Sequence, residues 1–409
     1  MALTLHALFR GQTREAAMSH TASEFASFEA RVVAPHALTP SDEAAWNALR
    51  AAHPDYDTPL LSPAFAKTVG AGRTDARVAL LSDTAGLVAV LAFHQRPDGL
   101  GRPLGAPFCD YAGPVVRRDC ALSLSQIIAL AGLGGYRTQA MLDPWNRFEG
   151  ERTGGTSSRL VRLENSPADY LEARRAEYPK RFKNFRRLES LMRREGHAPV
   201  LKWGHLDAAL RDQLYAYKSV QYRASGLVDL TTAARARAVL DSVEQSPAGF
   251  QASLWTGDTL VSADFGFREG AAFHPWIAAY NPDFAAYSPG NIFQKQVIEN
   301  LAAMGLSSYD LAEGHDHYKK YFTNSGRTLY SVDITASGAR GWWLTAQRKA
   351  WDAAGARREG SPASRLKRRS DHGAACYART HEKLADLVTA LHKRGVSATP
   401  VSGHAADAD

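Results

Sequence analysis

After Pro247 the chain falls into short alternating apolar and polar runs separated by turn residues. Residues 250–255, 260–267 and 271–280 read as strands, broken by Thr256-Gly257-Asp258 and Arg268-Glu269-Gly270. Gly and Asp supply the backbone geometry of tight hairpin turns, so the three strands predict an antiparallel meander. Pro275, in the third run, offers no N–H to a ladder and marks an edge or a bulge. The period then lengthens. Phe293, Val297, Leu301 and Met304 share one helical face that stops at Gly305. Ser288 and Pro289 suit the cap and the first position of that helix. Further strands read at 308–312 and 329–334.

An α/β unit precedes this segment. Residues 41–51 read as a helix with Ala45, Trp46 and Leu49 inward, and 77–81 and 87–94 as a strand pair. A Gly/Pro-rich loop, 97–113, carries Phe108-Cys109-Asp110-Tyr111; a helix at 122–133 and a strand at 139–142 follow. Residues 150–158 are polar and Gly-rich, as in a linker. Between Arg174 and Arg194 nine Lys/Arg face two acids, and Phe182, Phe185, Leu188 and Leu191 form an apolar stripe on this basic helix. Another helix spans 206–224. Past Arg340 lie Trp342, Trp343 and Trp351 in a basic helical stretch, a break at 361–364, the cluster Arg365-Leu-Lys-Arg-Arg369, and a helix at 380–392. No repeat of about 20–50 residues is visible. The expected division is a disordered 1–30, a first half 31–160, a linker and basic helix 161–205, a second half 206–340 and a basic tail 341–409.

Composition narrows the partners. The chain has 409 residues, 45% hydrophobic and 22% charged, with a formal net charge of +7. A basic surface suits an anionic partner: a nucleotide cofactor, nucleic acid, membrane or acidic glycan. Three cysteines without a CxxC pair predict neither a disulfide framework nor a structural metal, and fit the cytoplasm. No apolar run approaches the ~18–20 residues of a membrane span. The first residues make a poor signal peptide, and translation starts at Met1 or at Met18.

A helix that starts after a meander offers free N–H groups and a positive dipole end, which is what the pyrophosphate of coenzyme A requires. The candidate cofactor-binding residues are Ser288, Gly290, Asn291 and Ile292, the last three as backbone donors; Pro289 has no N–H and shapes the turn, and Gly290 permits close approach. The run Ala279-Tyr280…Tyr287-Ser288-Pro289-Gly290…Gly305…Tyr309-Asp310-Leu311…Gly314…Tyr318-Lys319…Phe322 resembles the GNAT domain of the cellulose-biosynthesis acetyltransferase (CelD/BcsL) family, a relative of the Fem-type aminoacyl ligases. The basic helix at 180–194 and Cys109-Asp110-Tyr111-Ala-Gly113-Pro114 are similar to further parts of that family, so the resemblance spans about residues 40–335. The usual GNAT phosphate signature is absent. The nearest pattern within the family is that of members acetylating holdfast polysaccharide in stalked bacteria.

The resemblance implies an α/β fold of tandem GNAT-like halves, each a mixed, mostly antiparallel sheet flanked by helices, with a basic helical tail. It implies acetyl-CoA as co-substrate, no metal, and an amino-sugar or lipid-linked saccharide of the cell envelope as acceptor; the basic surface permits peripheral association of a cytoplasmic protein with the inner face of the membrane. Direct attack on a thioester needs a base, and Glu313 and His274 are candidates, with Asp316 and His317 as alternatives. Tyr318 is the candidate acid. Lys319 matches a lysine that contacts the anionic part of the acceptor in Fem-type relatives; Asp110, Tyr111 and Arg186 complete the expected acceptor site. Arg365 and Arg369 have the R-x-x-x-R spacing of receptors for cyclic di-GMP. Rival readings are a Fem-like ligase using aminoacyl-tRNA and a non-catalytic scaffold that senses cyclic di-GMP.

Overall fold

The computed structural model describes residues 28–314, 318–358 and 360–392. Expectations for residues 1–27, Met18 among them, and for the last residues of the tail lie outside this range. Among the described residues there are thirteen strands: β1 (Glu29–Val33), β2 (Ala76–Asp83), β3 (Gly86–Gln95), β4 (Leu100–Pro103), β5 (Val115–Val116), β6 (Gly135–Met141), β7 (Thr153–Arg162), β8 (Val200–Gly204), β9 (Gly249–Thr256), β10 (Thr259–Glu269), β11 (Ala272–Tyr280), β12 (Ser308–Glu313) and β13 (Thr328–Thr335). They form one mixed sheet in the order β1-β2-β3-β4-β6-β13-β7-β12-β11-β10-β9-β8, with β5 paired to β3.

Helices flank this sheet: α1 (Pro40–Ala51), α2 (Pro63–Gly72), α3 (Leu124–Leu130), α4 (Pro167–Glu177), α5 (Pro179–Arg194), α6 (Ala208–Ala224), α7 (Ala234–Glu244), α8 (Pro289–Asn300), α9 (Lys319–Phe322), α10 (Ala339–Ala353), α11 (Pro362–Cys376) and α12 (Thr380–His392). Local sequence sets many of their starts. Thr39 and Asp42 form a reciprocal capping box at α1, and Ser123 and Gln126 another at α3. Among the described residues no helix is long and apolar enough to cross a membrane.

The sheet repeats one plan twice. In the first half β2, β3 and β4 are antiparallel, and β6 returns parallel to β4 after α3. In the second, β9, β10 and β11 are antiparallel, and β12 returns parallel to β11 after α8. The closing strands are exchanged. β7 follows the first half but pairs with β12, and β13 follows the second half but pairs with β6; β7 and β13 pair with each other. The segment 150–158, expected as a linker, thus supplies most of a strand at the seam between the halves.

Two cores sandwich the second half's sheet. On one face Phe265, Phe267 and Ile277 pack with Trp46, Phe65 and Leu240, which joins the halves. On the other, Phe273 and Tyr309 pack with Val297 of α8 and with Phe182, Phe185 and Met192 of α5. Met192 is buried where Leu191 was expected, because an apolar stripe advances by the helical 3.6-residue period rather than by threes. Burying each such aromatic or aliphatic side chain contributes about 1.5–3 kcal/mol.

Candidate functional site

Parallel strands β11 and β12 pair only at Ala272–Ser308 and Phe273–Tyr309. Beyond that point β11 stays with β10 as far as Tyr280, while β12 follows β7 through Asp310–Leu160 and Glu313–Ser158. The two strands therefore splay into a wedge that opens toward their C-terminal ends, where α8 begins. Just past the root, Phe265 pairs with Ile277 and Gly266 with Pro275, so Trp276 is an extra residue. This is the bulge that Pro275 signalled. Gly266 is required opposite it, since a Cβ there would lie 2.0 Å from the His274 carbonyl oxygen.

The first half has the same wedge between β4 and β6, paired at Leu100–Gly135 and Gly101–Tyr136. There the loop after β4 closes the gap: Ala112 N–H donates to Ala140 O (2.8 Å) and Leu142 N–H to Ala112 O (3.0 Å). The helix termini differ in the same sense. At α3, the Leu124 and Ser125 amides donate to the Glu151 carboxylate at 2.6 and 2.8 Å. At α8, Ser288 takes a left-handed conformation (φ 48°, ψ 59°), so its side chain does not cap as expected of an extended cap residue. Asn291 and Ile292 N–H turn back to Ser288 O at 3.0 and 3.5 Å. Gly290 N–H has no acceptor among the described residues, and the space beside Gly290 is open.

The loop that fills the first wedge carries Asp110 to the root of the second. His274 of β11, fully buried, donates from Nε2 to Asp110 Oδ2 at 2.8 Å. Its Nδ1 lies 3.7 Å from Asp310 Oδ2 on β12. Tyr111 Oη donates to Asp310 at 2.8 Å, and Arg327 Nη1 donates to the same carboxylate at 2.7 Å. Arg327 also donates to Asp57 O at 2.5 Å. Burial opposes the charge on His274, but the Asp310 carboxylate and the bond to Asp110 prevail and push its pKa up to about 9. Burial likewise opposes ionisation of Asp310, yet His274 and Arg327 hold it well below the usual carboxylate range. Two carboxylates and two cations thus cancel in a quartet that is buried except at Asp110. The Asp110 side chain is 35% exposed, and its Oδ1 accepts no hydrogen bond among the described residues.

On the opposite face of the wedge, toward α8, Tyr309 Oη donates to buried Asp264 of β10 and accepts from Gln294 Nε2 (2.9 Å). Burial pushes the Asp264 carboxyl up to about 7, against the pull of the Tyr309 bond and the Lys218 and Lys319 charges.

The structure brings together Asp110, Tyr111 and His274, and places Ser288, Gly290, Asn291 and Ile292 at the helix start beside the wedge mouth. Glu313 is exposed at the end of β12, past a kink at Ala312 (φ 58°). Lys319 is buried and donates to Glu313 O at 3.0 Å; Tyr318 is half-buried. Arg186 is exposed on α5, whose core lies on the face away from Asp110. Asp316 and His317 lie outside the described residues. In the tail, Arg369 forks onto Asp386 (2.7 and 2.8 Å) and donates to Gly226 O, whereas Arg365, one turn earlier on α11, is exposed. Among the described residues no cluster of three or more His, Cys, Asp or Glu could hold a metal. Sequence reasoning missed Asp310 and Arg327 in these roles. A charged residue inside the apolar run of β12 was the available signal for Asp310; Arg327, just before β13, gave none.

No curated protein matches the chain. Solved structures of similar shape include FemX, at 11% identity and TM-score 0.49, covering 78% of this chain and 99% of that one. The C-terminal domain of a putative lysylphosphatidylglycerol synthetase from Agrobacterium fabrum aligns at 11% identity and TM-score 0.43, over 75% of this chain and 95% of that one. A GCN5-related N-acetyltransferase from Sphaerobacter thermophilus aligns at 12% and 0.41, over 77% and 98%. Residues 179–320 match the acetyltransferase (GNAT) domain profile, a domain that uses acetyl-CoA. Through this segment the chain carries an acetyltransferase (GNAT) domain, which supports an acyl-CoA N-acyltransferase activity.

Proposed function

We propose that the protein transfers the acetyl group of acetyl-CoA to the amine of a cell-envelope or exopolysaccharide amino sugar, in a site shared by its two halves. The observation that supports this reading is the asymmetry of the two wedges. In the second the strands part after two pairs, the helix start has no side-chain cap, and a carboxylate from the other half stands at the root. The polysaccharide acceptor rests on the resemblance to the CelD/BcsL family.

The donor sites fit the cofactor. Gly290 N–H and the α8 dipole would hold the pyrophosphate, since the helix start carries an open amide and no side-chain cap. When bound, acetyl-CoA supplies an activated acyl carbon in the wedge. Asp110 then receives the acceptor: His274 pins Oδ2, while Oδ1 is left to take a proton from the amine. In this reading His274 positions Asp110 and is not itself the base, because an imidazolium between two carboxylates has no free lone pair to offer.

Calorimetry with acetyl-CoA and a coenzyme A release assay over glucosamine, a nucleotide-linked amino sugar and a lipid-linked amino sugar test the reading. Binding of acetyl-CoA with release on an amino sugar is expected. Transfer from aminoacyl-tRNA without any acetyl-CoA binding would replace it with the Fem-like ligase.

A further inference from the structure

The tail is built into the body of the protein through a run of charged side chains. α12 folds back on α11, where Arg369 forks onto Asp386. α11 is pinned in turn: its Asp371 accepts from Arg102 of β4 (3.1 Å) and from Arg137 of β6 (2.8 Å). One turn on, Ala374 O accepts from Arg235 at the start of α7 (2.8 Å). Behind Arg235, Arg73 donates to the Arg235 carbonyl oxygen at 3.3 Å and closes on Asp75, which also holds His94 near the end of β3. Arg96 follows in the β3–β4 turn, against Asp98 at 3.0 Å.

Lys383 of α12 completes this seam. It stands one helical turn before Asp386 and so shares that residue's side, toward α11. Moving toward the start of α12 runs toward the end of α11, where Ala374 meets Arg235. Lys383 and Arg235 are half-buried, and neither has a carboxylate within ion-pair distance among the described residues. Burial and the Arg235 and Arg96 charges hold the Lys383 ammonium below its ordinary pKa; burial, with Arg73 and Arg96, acts the same way on Arg235. Cations that converge out of water repel one another unless an anion joins them.

We propose that the seam between the tail and the body is a binding site for a phosphomonoester dianion, gripped by Lys383 and Arg235 with Arg96 at the rim. None of these residues belongs to the wedge or to the start of α8. Two cations without carboxylates call for close to two negative charges, which a phosphomonoester or free phosphate carries near neutral pH and a phosphodiester does not. A guanidinium forks onto two phosphate oxygens, and an ammonium meets a third as a point charge. An occupied site ties α12, α7 and the β3–β4 turn together, so the ligand holds the tail on the body.

The test uses the full chain at constant ionic strength. The probes are inorganic phosphate, glycerol 3-phosphate, dimethyl phosphate, chloride and vesicles containing phosphatidic acid. Inorganic phosphate or glycerol 3-phosphate should raise Tm and bind in calorimetry; dimethyl phosphate and chloride should do neither. Lys383→Gln and Arg235→Gln should each weaken that binding by about 10-fold, the size of one charge-assisted hydrogen bond, and leave acetyl-CoA affinity unchanged. Lys383→Gln should also raise the Tm measured without phosphate, because it removes a repelled charge. It carries the test if Arg235→Gln, which loses the bond to Ala374, does not fold. Vesicle capture that Lys383→Gln abolishes, without binding of the soluble monoesters, would make a lipid headgroup the source of the same dianion. Equal stabilisation by dimethyl phosphate or chloride, phosphate binding that survives both substitutions, or an unchanged phosphate-free Tm in Lys383→Gln would overturn the proposal.

Discussion

The two halves share one strand plan and differ in what occupies its gap. In the first, Ala112 bridges Ala140 and Leu142, and Glu151 fills the helix start with a carboxylate of the chain itself. In the second, β11 and β12 part after Phe273–Tyr309, and Gly290 faces open space. The difference teaches that a duplicated fold does not imply a duplicated site. The closed gap has become a scaffold, and its filler delivers Asp110 to the open one. A helix N-terminus invites an anion wherever one is left uncapped; α3 has answered that demand internally, and α8 has not.

Removing the delivered group should have the largest effect. Asp110→Asn keeps the bond to His274 within reach but removes the proton acceptor. We expect kcat/KM to fall by about 10²–10⁴-fold, with acetyl-CoA affinity unchanged in calorimetry. Asp310→Asn strikes the quartet that holds the loop to the wedge. It leaves the buried Arg327 short of its carboxylate, and breaking such a pair costs about 3–5 kcal/mol, measurable by urea denaturation. Gly290→Asp copies Glu151 into the second half. The Cβ meets nothing within 4 Å, so the fold should persist, while acetyl-CoA affinity falls about tenfold or more as the carboxylate takes the dipole end. A pH dependence follows from His274, whose pKa rises from 6.5 to about 9 on folding. A group with a raised folded pKa adds stability that is complete below its unfolded value and is lost as pH climbs through the folded one. Stability should thus decline between about pH 6.5 and 9 more steeply in the wild type than in His274→Gln, followed by thermal denaturation across that range.

Much of the second half was legible in the sequence because its signals are local. Turn residues at 256–258 and 268–270 separate β9, β10 and β11, and Pro289 does open α8. The seam was not legible. β7 contains Thr153-Gly154-Gly155-Thr156-Ser157-Ser158, polar and half exposed, and it is a strand only because β12 and β13 pair with it from distant parts of the chain. Its composition reads as a linker since nothing local asks for extension. The repeated plan left no sequence repeat because each copy has kept the strand positions and replaced the contacts. Of the site, Asp110 and His274 could be singled out, but their meeting depends on a fold-back of the loop after β4. Asp264 and Tyr309 are inconspicuous in their runs, and only the register shows that one reaches the other.

The exchange of β7 and β13 also bears on how the chain is made. During synthesis the first half emerges with β6 as an edge, and its neighbour β13 is among the last strands to leave the ribosome. An unpaired strand edge is prone to wrong partners. The nascent first half therefore presents the β6 edge without its β13 partner until the second half has been translated.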